Sequence, residues 1–321
     1  EKAALQRAIK ETRRAVLIVN TRSRQAAQAY SDAKKLLAEA GMVLEASYPV
    51  RHAERLHEIV REEIAKGGKY IIVGGGDGTV SSVVDHFAHA SVVFGVLPLG
   101  TANSFARTLG IPLDLQGAVD VLVNGKVADV DLGRIGNDYF ANGSSIGMPS
   151  IIGRATPHAL KKWLGRGAYA LVGVAKFVQY KPFRCIVTVD GRQSAFDALD
   201  VRIANGGYQG GVLVAPEADL ESGRIVLHVL EGPSKWALVK EWARVALGLP
   251  FARGKMNVLA GRNLTIETVP EQHVAIDGEV VTRTPIQVSV ARNALLLMVP
   301  TDYEDLDDPA GRPVTGAIAD S

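Results

Sequence analysis

The sequence predicts an α/β protein in which an open α/β domain precedes a mostly antiparallel, β-sandwich-like domain. Up to about residue 128, compact apolar runs alternate with amphipathic stretches, the pattern of parallel strands joined by helical crossovers. From residue 129 onward, short strands with alternating faces are separated by turn residues. A cluster of glycines also follows one apolar run, at residues 74–78, and open α/β sheets bind ligands at the carboxyl ends of their strands.

The elements of the first domain follow from these patterns in chain order. Each predicted strand is a compact apolar run, and each predicted helix carries apolar residues at helical spacing. The first of these helices ends at Gly41, a residue type that stops helices. We expect strands at 15–20, 42–50, 69–75 and 92–100, and helices at 23–41, 52–68 and 80–90.

The second domain is predicted from short strands that are bounded by turn residues. Two helical stretches, 158–180 and 234–249, interrupt these strands. We place the domains at 1–128 and 129–300, and we expect the acidic tail 301–321 to pack back on the first domain. The strands are expected at 185–191, 198–207, 223–232, 263–270, 273–281 and 286–300.

Composition and charge exclude several classes of protein. A formal net charge of +2 is too small to argue for a nucleic-acid partner. Cys185 is the single cysteine of the sequence, which excludes an internal disulfide and favours a reducing compartment. No apolar stretch of the sequence reaches the length of about 20 residues that a membrane-spanning helix needs. We therefore expect a cytoplasmic protein.

The stretch IIVGGGDGTV, residues 71–80, ends an apolar strand in a glycine turn that contains Asp77. Glycines let the backbone approach a ligand closely and point successive N–H groups at it, and a phosphate chain is the usual ligand. Asp77 would repel phosphates unless it holds a magnesium ion or accepts a proton. Thr79 is expected to cap a helix that begins near Val80. A tight turn without any ligand is the alternative.

A second turn resembles the first. VLPLGTANSFAR, residues 96–107, again leads from an apolar strand through Gly-Thr into a helix, with Asn103 and Ser104 near its start. Two such turns at neighbouring strand ends would together line one nucleotide cleft, whereas an ordinary capped helix is the alternative. Arg107 lies one turn into this helix, where it reaches either phosphate or solvent.

GGGDGTV followed by LPLGTANSFARTLGIP resembles the diacylglycerol kinase catalytic family, which includes sphingosine and ceramide kinases and the soluble bacterial lipid kinases. The resemblance continues through ADVDLGRI, YFANGSSIG, RGAYALVG, APEADLESGRI and VAIDGEVV, so it covers most of the chain. The glycine turn alone is shared with NAD kinases and phosphofructokinases. Its combination with the second turn and the late Asp-Gly-Glu is highly specific.

The resemblance implies a phosphofructokinase-like nucleotide domain with ATP and Mg²⁺ bound between the two domains. Glu279 matches the usual proton acceptor, and Asp131 matches an acidic position that supports the magnesium and water network. Asp77 is a magnesium ligand and an alternative proton acceptor. Without the resemblance, Glu279 is a hairpin residue beside a β-turn. The implied nucleotide contacts are Asn20, Ser47, Gly75, Gly76, Asp77, Gly78, Thr79, Val80, Ser81, Gly100, Thr101 and Asn103.

The chain departs from the family pattern within both nucleotide turns. Ser104 follows the asparagine of the second turn, where the family commonly has an acidic residue. One carboxylate of the magnesium network is therefore missing or supplied by another residue. Ser81 and Ser82 stand where relatives often have asparagine and glutamate.

A further departure affects a loop that binds a structural metal ion in the family. DLESGRIVL replaces the more usual Asp-Asp-Gly, and Ser222 is a poorer ligand for a hard cation than aspartate. Glu221 would contribute an oxygen, and the backbone carbonyls of Arg224 and Val226 would complete the site.

These observations predict an ATP-dependent lipid kinase that phosphorylates a membrane lipid, first of all diacylglycerol, which would give phosphatidic acid. Another lipid alcohol as acceptor, an NAD kinase and a catalytically silent nucleotide- or lipid-binding regulator are the alternatives. Stretches 161–169 and 234–255 combine tryptophan with basic residues. They favour peripheral contact with the inner face of the membrane, or else they pack on the β domain. A homodimer is compatible with this assignment.

Overall fold

The computed structural model describes residues 1–147, 180–232, 236, 238 and 256–304. Within these ranges it contains six helices and 17 strands. One continuous sheet contains 15 of the strands, and the other two form a separate short hairpin. Apart from residues 180, 236 and 238, the predicted helical stretches 158–180 and 234–249 lie outside the described residues.

The first domain is an α/β unit whose strands are all parallel. Its strands follow the order β4-β3-β1-β2, which confirms the open α/β sheet that the sequence predicts. Its elements are α1 (Lys2–Thr12), β1 (Arg14–Asn20), α2 (Arg24–Glu39), β2 (Val43–Val50), α3 (Ala53–Ala65), β3 (Tyr70–Gly75), α4 (Asp77–Phe87), β4 (Val93–Pro98), α5 (Ser104–Thr108) and α6 (Leu115–Asn124).

Burial and capping explain why these residues form these elements. Every residue of β3 and β4 is buried, as expected for parallel strands that helices cover on both faces. Helix α2 starts where the Ser23 hydroxyl accepts a hydrogen bond from the Ala26 N–H at 3.0 Å. Helix α6 starts in the same way, with Asp114 accepting from Gly117 at 2.8 Å. Both caps satisfy amide groups that the helix itself leaves without partners.

Helix α4 begins earlier than the sequence predicts. The chain leaves β3 through Gly76 in an extended conformation, and the helix starts at Asp77. Thr79 therefore lies inside the first turn, where its N–H donates to the Gly76 carbonyl at 2.9 Å. The prediction that Thr79 caps a helix beginning near Val80 is wrong, because the helix already begins at Asp77 and Gly76 is its N-cap residue.

The second domain is built from antiparallel strands, in the order β16-β15-β7-β9-β8-β14-β17. Strand β12 pairs with β9 and β13. The second domain has its own hydrophobic core, which includes Ile146, Cys185 and Leu227. Its elements are β5 (Lys126–Ile135), β6 (Asp138–Phe140), β7 (Gly143–Gly147), β8 (Phe183–Val189), β9 (Arg192–Ala204), β10 (Tyr208–Gln209), β11 (Val212–Leu213), β12 (Ile225–Glu231), β13 (Met256–Gly261), β14 (Asn263–Val269), β15 (His273–Ile276), β16 (Glu279–Arg283) and β17 (Ile286–Val299).

Two long strands join the domains. Strand β17 pairs in parallel with β4 and antiparallel with β5, so the sheet of the first domain continues into the second. The predicted boundary between residues 128 and 129 falls inside β5, whose residues 127–132 pack in the core of the first domain. Tyr303 of the tail also packs against that core. The sheet therefore fixes the position of the strand ends of one domain relative to the other.

We expect Leu297→Ala to destabilise the whole chain, because Leu297 is fully buried where β17 meets β4 and β5. The free energy of unfolding should fall by about 2–5 kcal/mol, the usual cost of a leucine-sized cavity. Urea denaturation followed by circular dichroism measures this change. Val258→Ala is the control, since Val258 is exposed and should change the stability by about 0.5 kcal/mol or less. If both substitutions lowered the free energy of unfolding equally, the buried position of Leu297 between β4 and β5 would be contradicted.

Candidate active site

Two glycine loops lie against each other at one edge of the sheet. They follow the neighbouring parallel strands β3 and β4, so both emerge at the same end. A Cβ atom added to Gly100 would lie 2.5 Å from the Gly76 Cα, and one added to Gly76 would lie 3.1 Å from the Gly100 Cα. Glycine at both positions therefore permits an approach that side chains would prevent.

Asp77 connects these two loops. It is the first residue of α4, where the partial positive charge of the helix N-terminus favours a carboxylate. Its Oδ1 atom accepts a hydrogen bond from the Phe105 N–H at 3.2 Å, at the start of α5. The residue also lines a cavity between the two domains. The structure therefore places Asp77 at the junction of both predicted nucleotide loops and the cavity.

The other predicted nucleotide residues divide into loop-shaping and exposed positions. Asn20 donates through Nδ2 to the Thr79 hydroxyl at 3.1 Å, which ties the end of β1 to α4. Asn103 closes the second loop on itself: its Oδ1 accepts from the Gly100 N–H and its Nδ2 donates to the Gly100 carbonyl, both at 2.9 Å. Thr101 is exposed beside this closed loop.

The remaining predicted contacts are arranged around the first loop and β2. Gly75 is buried at the end of β3, Gly78 is exposed, and Val80 packs in the core. Ser81 lies partly buried on α4. The Ser47 hydroxyl accepts a hydrogen bond from the Tyr30 hydroxyl at 3.0 Å, so Ser47 lies farther from the glycine loops, on the outer strand of the sheet.

A wide cleft opens beside the Asn20 loop. Its volume is about 560 Å³, and its lining includes Tyr30, Tyr48, Arg51 and Arg55. Tyrosine rings and arginine side chains together suit a flat, polar ring system and anionic groups. The cleft lies at the ends of β1 and β2, and none of its described lining residues belongs to either glycine loop.

The cavity between the domains has a volume of about 320 Å³. Asp77 and Ser104 line it from the first domain. Residues of the second domain complete the wall: Asn142, Ser144, Arg202, Gln209 and Asp277. These five side chains are polar, although most of the exposed cavity surface is apolar, and the wall lies opposite Asp77 and Ser104.

Asp277 is the functional candidate that the sequence analysis missed. It occupies the turn between β15 and β16 with a positive φ of 44°, and its Oδ1 atom accepts a hydrogen bond from the Gly143 N–H at 3.2 Å. Its Oδ2 atom is buried and has no hydrogen-bond partner. The pKa of this carboxyl is raised to about 6, mainly by burial and to a smaller extent by the negative charge of Asp77, while the hydrogen bond from the Gly143 N–H opposes the rise.

Glu279 lies on the other side of the same turn. It is the first residue of β16, it is exposed, and it pairs with Ile276 across the hairpin. The cavity lining includes Asp277 and Gly278 of this turn. The Asp-Gly-Glu stretch identified the correct turn, but the structure brings Asp277, rather than Glu279, to the cavity wall in this conformation.

Asp131 is almost completely buried and binds backbone groups of two other segments. Its Oδ2 atom accepts from the Gly223 N–H and its Oδ1 atom from the Asn293 N–H, both at 2.8 Å. The carboxylate therefore joins β5 to the 219–224 loop and to β17. Its role in a magnesium and water network stays a prediction.

The loop predicted to hold a structural metal ion is closed by its own hydrogen bonds. The Ser222 hydroxyl donates to the Asp219 carbonyl at 2.9 Å, and the Glu221 N–H donates to the Asp219 carboxylate at 2.8 Å. The Arg224 carbonyl lies 3.4 Å from the Ser222 hydroxyl, and Val226 lies in β12. In the part of the chain that the structure describes, no group of three His, Cys, Asp or Glu side chains is arranged to hold a metal ion.

Ser104 has a defined structural partner. Its hydroxyl accepts a hydrogen bond from the Gly211 N–H at 2.9 Å, which fixes the β10–β11 hairpin of the second domain on the start of α5. Arg107, which the sequence placed near phosphate or solvent, donates through Nε to the Ala102 carbonyl at 2.9 Å. Both side chains therefore brace the second glycine loop.

Comparison with known proteins agrees with this arrangement. A model of the diacylglycerol kinase catalytic domain matches residues 14–135, and a model of the YegS C-terminal NAD kinase beta sandwich-like domain matches residues 144–299. A probable lipid kinase YegS-like protein of Pseudomonas putida is 33% identical over 204 residues, which cover 62% of this chain and 68% of the relative. One of Shewanella frigidimarina is 31% identical over 201 residues, which cover 61% of this chain and 65% of the relative.

A solved structure shares the fold. The crystal structure of a diacylglycerol kinase from Bacillus anthracis matches this chain with a TM-score of 0.71 at 24% identity, and the match covers 89% of this chain and 97% of that one. The two family models together span most of the chain. The chain therefore belongs to the family of enzymes that contain the diacylglycerol kinase catalytic domain. More particularly, it is a member of the YegS-like lipid kinases, which confirms the resemblance found in the sequence.

The structure describes little of the segments that were predicted to contact a membrane surface. Among the described helices, none is both long enough and apolar enough to cross a bilayer. The two stretches predicted to contact a membrane surface, 161–169 and 234–255, lie outside the described residues apart from residues 236 and 238. Trp236 is exposed.

We expect the pH dependence of stability to report the buried carboxyl of Asp277. Its folded pKa of about 6 lies above its ordinary value of 3.8, so the folded state keeps the proton over a window in which the unfolded state loses it. Its contribution to stability therefore falls as the pH rises through this window, and stays unfavourable above it. Without added metal, Asp277→Asn should raise the free energy of unfolding at pH 7.5 by about 1–3 kcal/mol.

Urea denaturation at pH 7.5 and at pH 3.5 measures this difference, which should shrink at the lower pH. The matched control is Asp197→Asn, because the Asp197 side chain is exposed. A stability gain at pH 7.5 that persists unchanged at pH 3.5 would contradict the raised pKa of Asp277.

Proposed function

We propose that this protein is an ATP-dependent kinase that transfers the γ-phosphate of ATP to the hydroxyl of a membrane lipid. The observation that carries this proposal is the position of Asp77, which joins two glycine loops and lines a cavity between the domains. Diacylglycerol is the first acceptor to test, because the matching family model carries its name. The product would then be phosphatidic acid.

The two glycine loops are suited to the phosphates of ATP. Their backbones approach each other closely at Gly76 and Gly100, and a loop that opens a helix presents N–H groups to a phosphate. The cleft beside Asn20 is lined by tyrosine and arginine side chains, and Asn20 itself is bound to Thr79, which follows the first glycine loop. We propose that it takes the base and ribose of the nucleotide.

Asp77 fits the requirements of a magnesium ion that accompanies ATP. Mg²⁺ is bound in kinases by one or two carboxylates together with water and substrate phosphates. Asp77 lines the cavity at the point where the two glycine loops meet. When bound, the ion would neutralise charge on the phosphates. The structural metal at Glu221, Arg224 and Val226 stays a separate proposal that rests on the family resemblance.

Transfer also requires a base for the acceptor hydroxyl. As the O–P bond forms and the bond between the γ-phosphate and ADP breaks, the hydroxyl proton must pass to a carboxylate. Asp277 is supported by its buried Oδ2 atom and by a pKa raised to about 6, near the working pH that suits a general base. Glu279 is supported by the family resemblance. Asp277 and Glu279 belong to one turn, and the activities of their single variants distinguish which of them accepts the proton.

The location and partners of the protein follow from a lipid acceptor. We propose that the protein acts on the inner face of the membrane as a peripheral, cytoplasmic enzyme. Trp236 is exposed within one of the stretches predicted for that contact, and tryptophan is enriched at membrane interfaces. A homodimer remains part of the proposal.

We expect Asp77→Asn to reduce lipid phosphorylation by at least about 100-fold, because the amide loses the charge that organises the phosphates and the ion. The assay is transfer of label from [γ-³²P]ATP to diacylglycerol and other lipid alcohols in mixed micelles, with the products identified by mass. Asp197→Asn is the matched control, since its side chain is exposed on β9. Full activity of Asp77→Asn, with its circular dichroism unchanged, would remove Asp77 from the mechanism.

We expect the two residues of the turn to differ when each is made neutral. If Asp277 is the base, Asp277→Asn should lower the maximal rate by roughly two to four orders of magnitude, while the KM for ATP changes little. Glu279→Gln should then stay within a few-fold of the wild type, because Glu279 is exposed outside the cavity wall. The opposite pattern would assign proton acceptance to Glu279.

A further inference from the structure

Three arginines line a concavity at the end of the sheet in the first domain, outside the cavity between the domains. This arginine concavity has a volume of about 670 Å³, and its lining includes Arg22, Arg24, Arg51 and His52. All four side chains are exposed, and none of the described lining residues is acidic. The whole sequence has a net charge of only +2, so this concentration of positive charge is a local feature.

The three arginines have no carboxylate partner within the described ranges. None of them takes part in an ion pair with another described residue. Arg55, in the first turn of α3, shows the contrast, because its guanidinium lies 2.9 Å from Glu58 and 3.6 Å from Glu62. The charge of the three arginines is therefore open to a partner outside the described part of the chain.

Backbone pairing holds the two loops that carry these arginines side by side. Arg22 follows β1 and Arg51 follows β2, and these parallel strands pair as far as their carboxyl ends. The Thr21 N–H continues the pairing by donating to the Val50 carbonyl at 2.7 Å. The Arg22 N–H donates to Asn20 Oδ1 at 3.2 Å. The end of the sheet therefore fixes the backbone positions of the arginines.

Two helix ends add to the positive potential of the arginine concavity. The 16-residue helix α2 begins at Arg24 and the 13-residue helix α3 begins at Ala53, and both residues line the concavity. The N-terminus of a helix carries a partial positive charge. Both helix ends therefore attract anions in the same direction as the arginines.

The arginine concavity lies at the same edge of the sheet as the candidate active site. Strands β1 to β4 are parallel, so the loops after all four strands emerge at one edge. Asn20, two residues before Arg22, is bound to Thr79 at 3.1 Å, in the helical turn that begins with Asp77. A surface that binds the arginines therefore approaches the edge of the sheet at which Asp77 lies.

We propose that the arginine concavity is a docking surface for the anionic phospholipid headgroups of a membrane. This inference rests on the proposed lipid kinase function, and it adds a contact outside the stretches 161–169 and 234–255. Arginine binds phosphate through parallel N–H groups, and clusters of basic residues are attracted to the negative surface of a bilayer. An open, exposed cluster suits a surface that presents many phosphates, whereas a site for one small ligand encloses that ligand.

Vesicle binding tests this surface without nucleotide and without turnover. The full chain is sedimented with vesicles of phosphatidylcholine, either alone or mixed with phosphatidylserine, an anionic lipid that has no alcohol group to phosphorylate. The wild type should partition preferentially onto the anionic vesicles, and added salt should weaken this binding. The double variant Arg22→Gln/Arg24→Gln should lower the partition coefficient by about 10- to 25-fold, because each arginine near such a surface contributes about 5-fold.

A matched control separates the position of the charge from its amount. Arg192→Gln removes the same charge as the single variant Arg22→Gln, but Arg192 is exposed beside the β8–β9 turn of the second domain. The control should bind anionic vesicles as the wild type does. Equal losses in Arg192→Gln and Arg22→Gln would overturn the docking surface, and so would a double variant that binds as tightly as the wild type.

Inorganic pyrophosphate distinguishes a lipid surface from a site for a soluble anion. Its effect on the melting temperature should be the same for the wild type and for the double variant. If pyrophosphate stabilised the wild type alone while both proteins bound anionic vesicles equally, the arginine concavity would be a site for a soluble anion, and the proposed docking surface would be wrong.

Activity separates this inference from the kinase proposal. The acceptors are dioleoylglycerol in vesicles that contain phosphatidylserine and dihexanoylglycerol dissolved as a monomer. The double variant should lower the kcat/KM for the vesicular acceptor by about 10-fold, and it should leave the kcat/KM for the dissolved acceptor and the KM for ATP unchanged. A raised KM for ATP would assign the arginines to the neighbouring cleft, which shares Arg51 and His52 with the arginine concavity, and would overturn the inference. If neither acceptor is phosphorylated, the kinase proposal fails for these acceptors, and vesicle binding still decides the docking surface.

Discussion

The contact between the two glycine loops is the constraint on which the rest of the site depends. A side chain at Gly100 would collide with the backbone of Gly76, so the loops meet only because both residues lack a Cβ atom. Asp77 then reaches the Phe105 N–H across that contact. In the proposed enzyme, the same closeness would present two adjacent rows of amide groups to the phosphates of a nucleotide. The charge of Asp77 is therefore held where both loops and the cavity meet.

Because the sheet is continuous, the contact between the glycine loops lies beside a cavity between the two domains. Strand β17 pairs with β4 of the first domain and with β14 of the second, so no flexible linker separates the glycine loops from the opposite wall. The Ser104–Gly211 hydrogen bond adds a second connection on the cavity itself. Catalysis of phosphoryl transfer depends chiefly on positioning, and in the proposed mechanism the shared sheet would hold the described part of the acceptor wall in place relative to the glycine loops.

The sequence predicted features that depend on residues close together in the chain. It missed features that depend on contacts between residues far apart in the chain. The strands before both glycine loops follow from compact apolar runs, and the family from short stretches around them. Asp277 was missed because its burial comes from Gly143, which is 134 residues away in the chain, while the Asp-Gly turn explained the residue locally. The β10–β11 hairpin was missed because each of its strands has only two residues, too few for a periodic pattern.

The residue at position 104 affects the number of negative charges in the cavity and thereby the pKa of Asp277. The family resemblance implies an acidic residue at this position, which would add a further carboxylate beside Asp77 and Asp277. Since the charge of Asp77 already raises the pKa of Asp277, another negative group would raise it more and hold Asp277 in its protonated form. With serine, the position instead accepts the Gly211 N–H. The substitution therefore favours an Asp277 that ionises near neutral pH, the state in which a carboxylate accepts a proton from a hydroxyl.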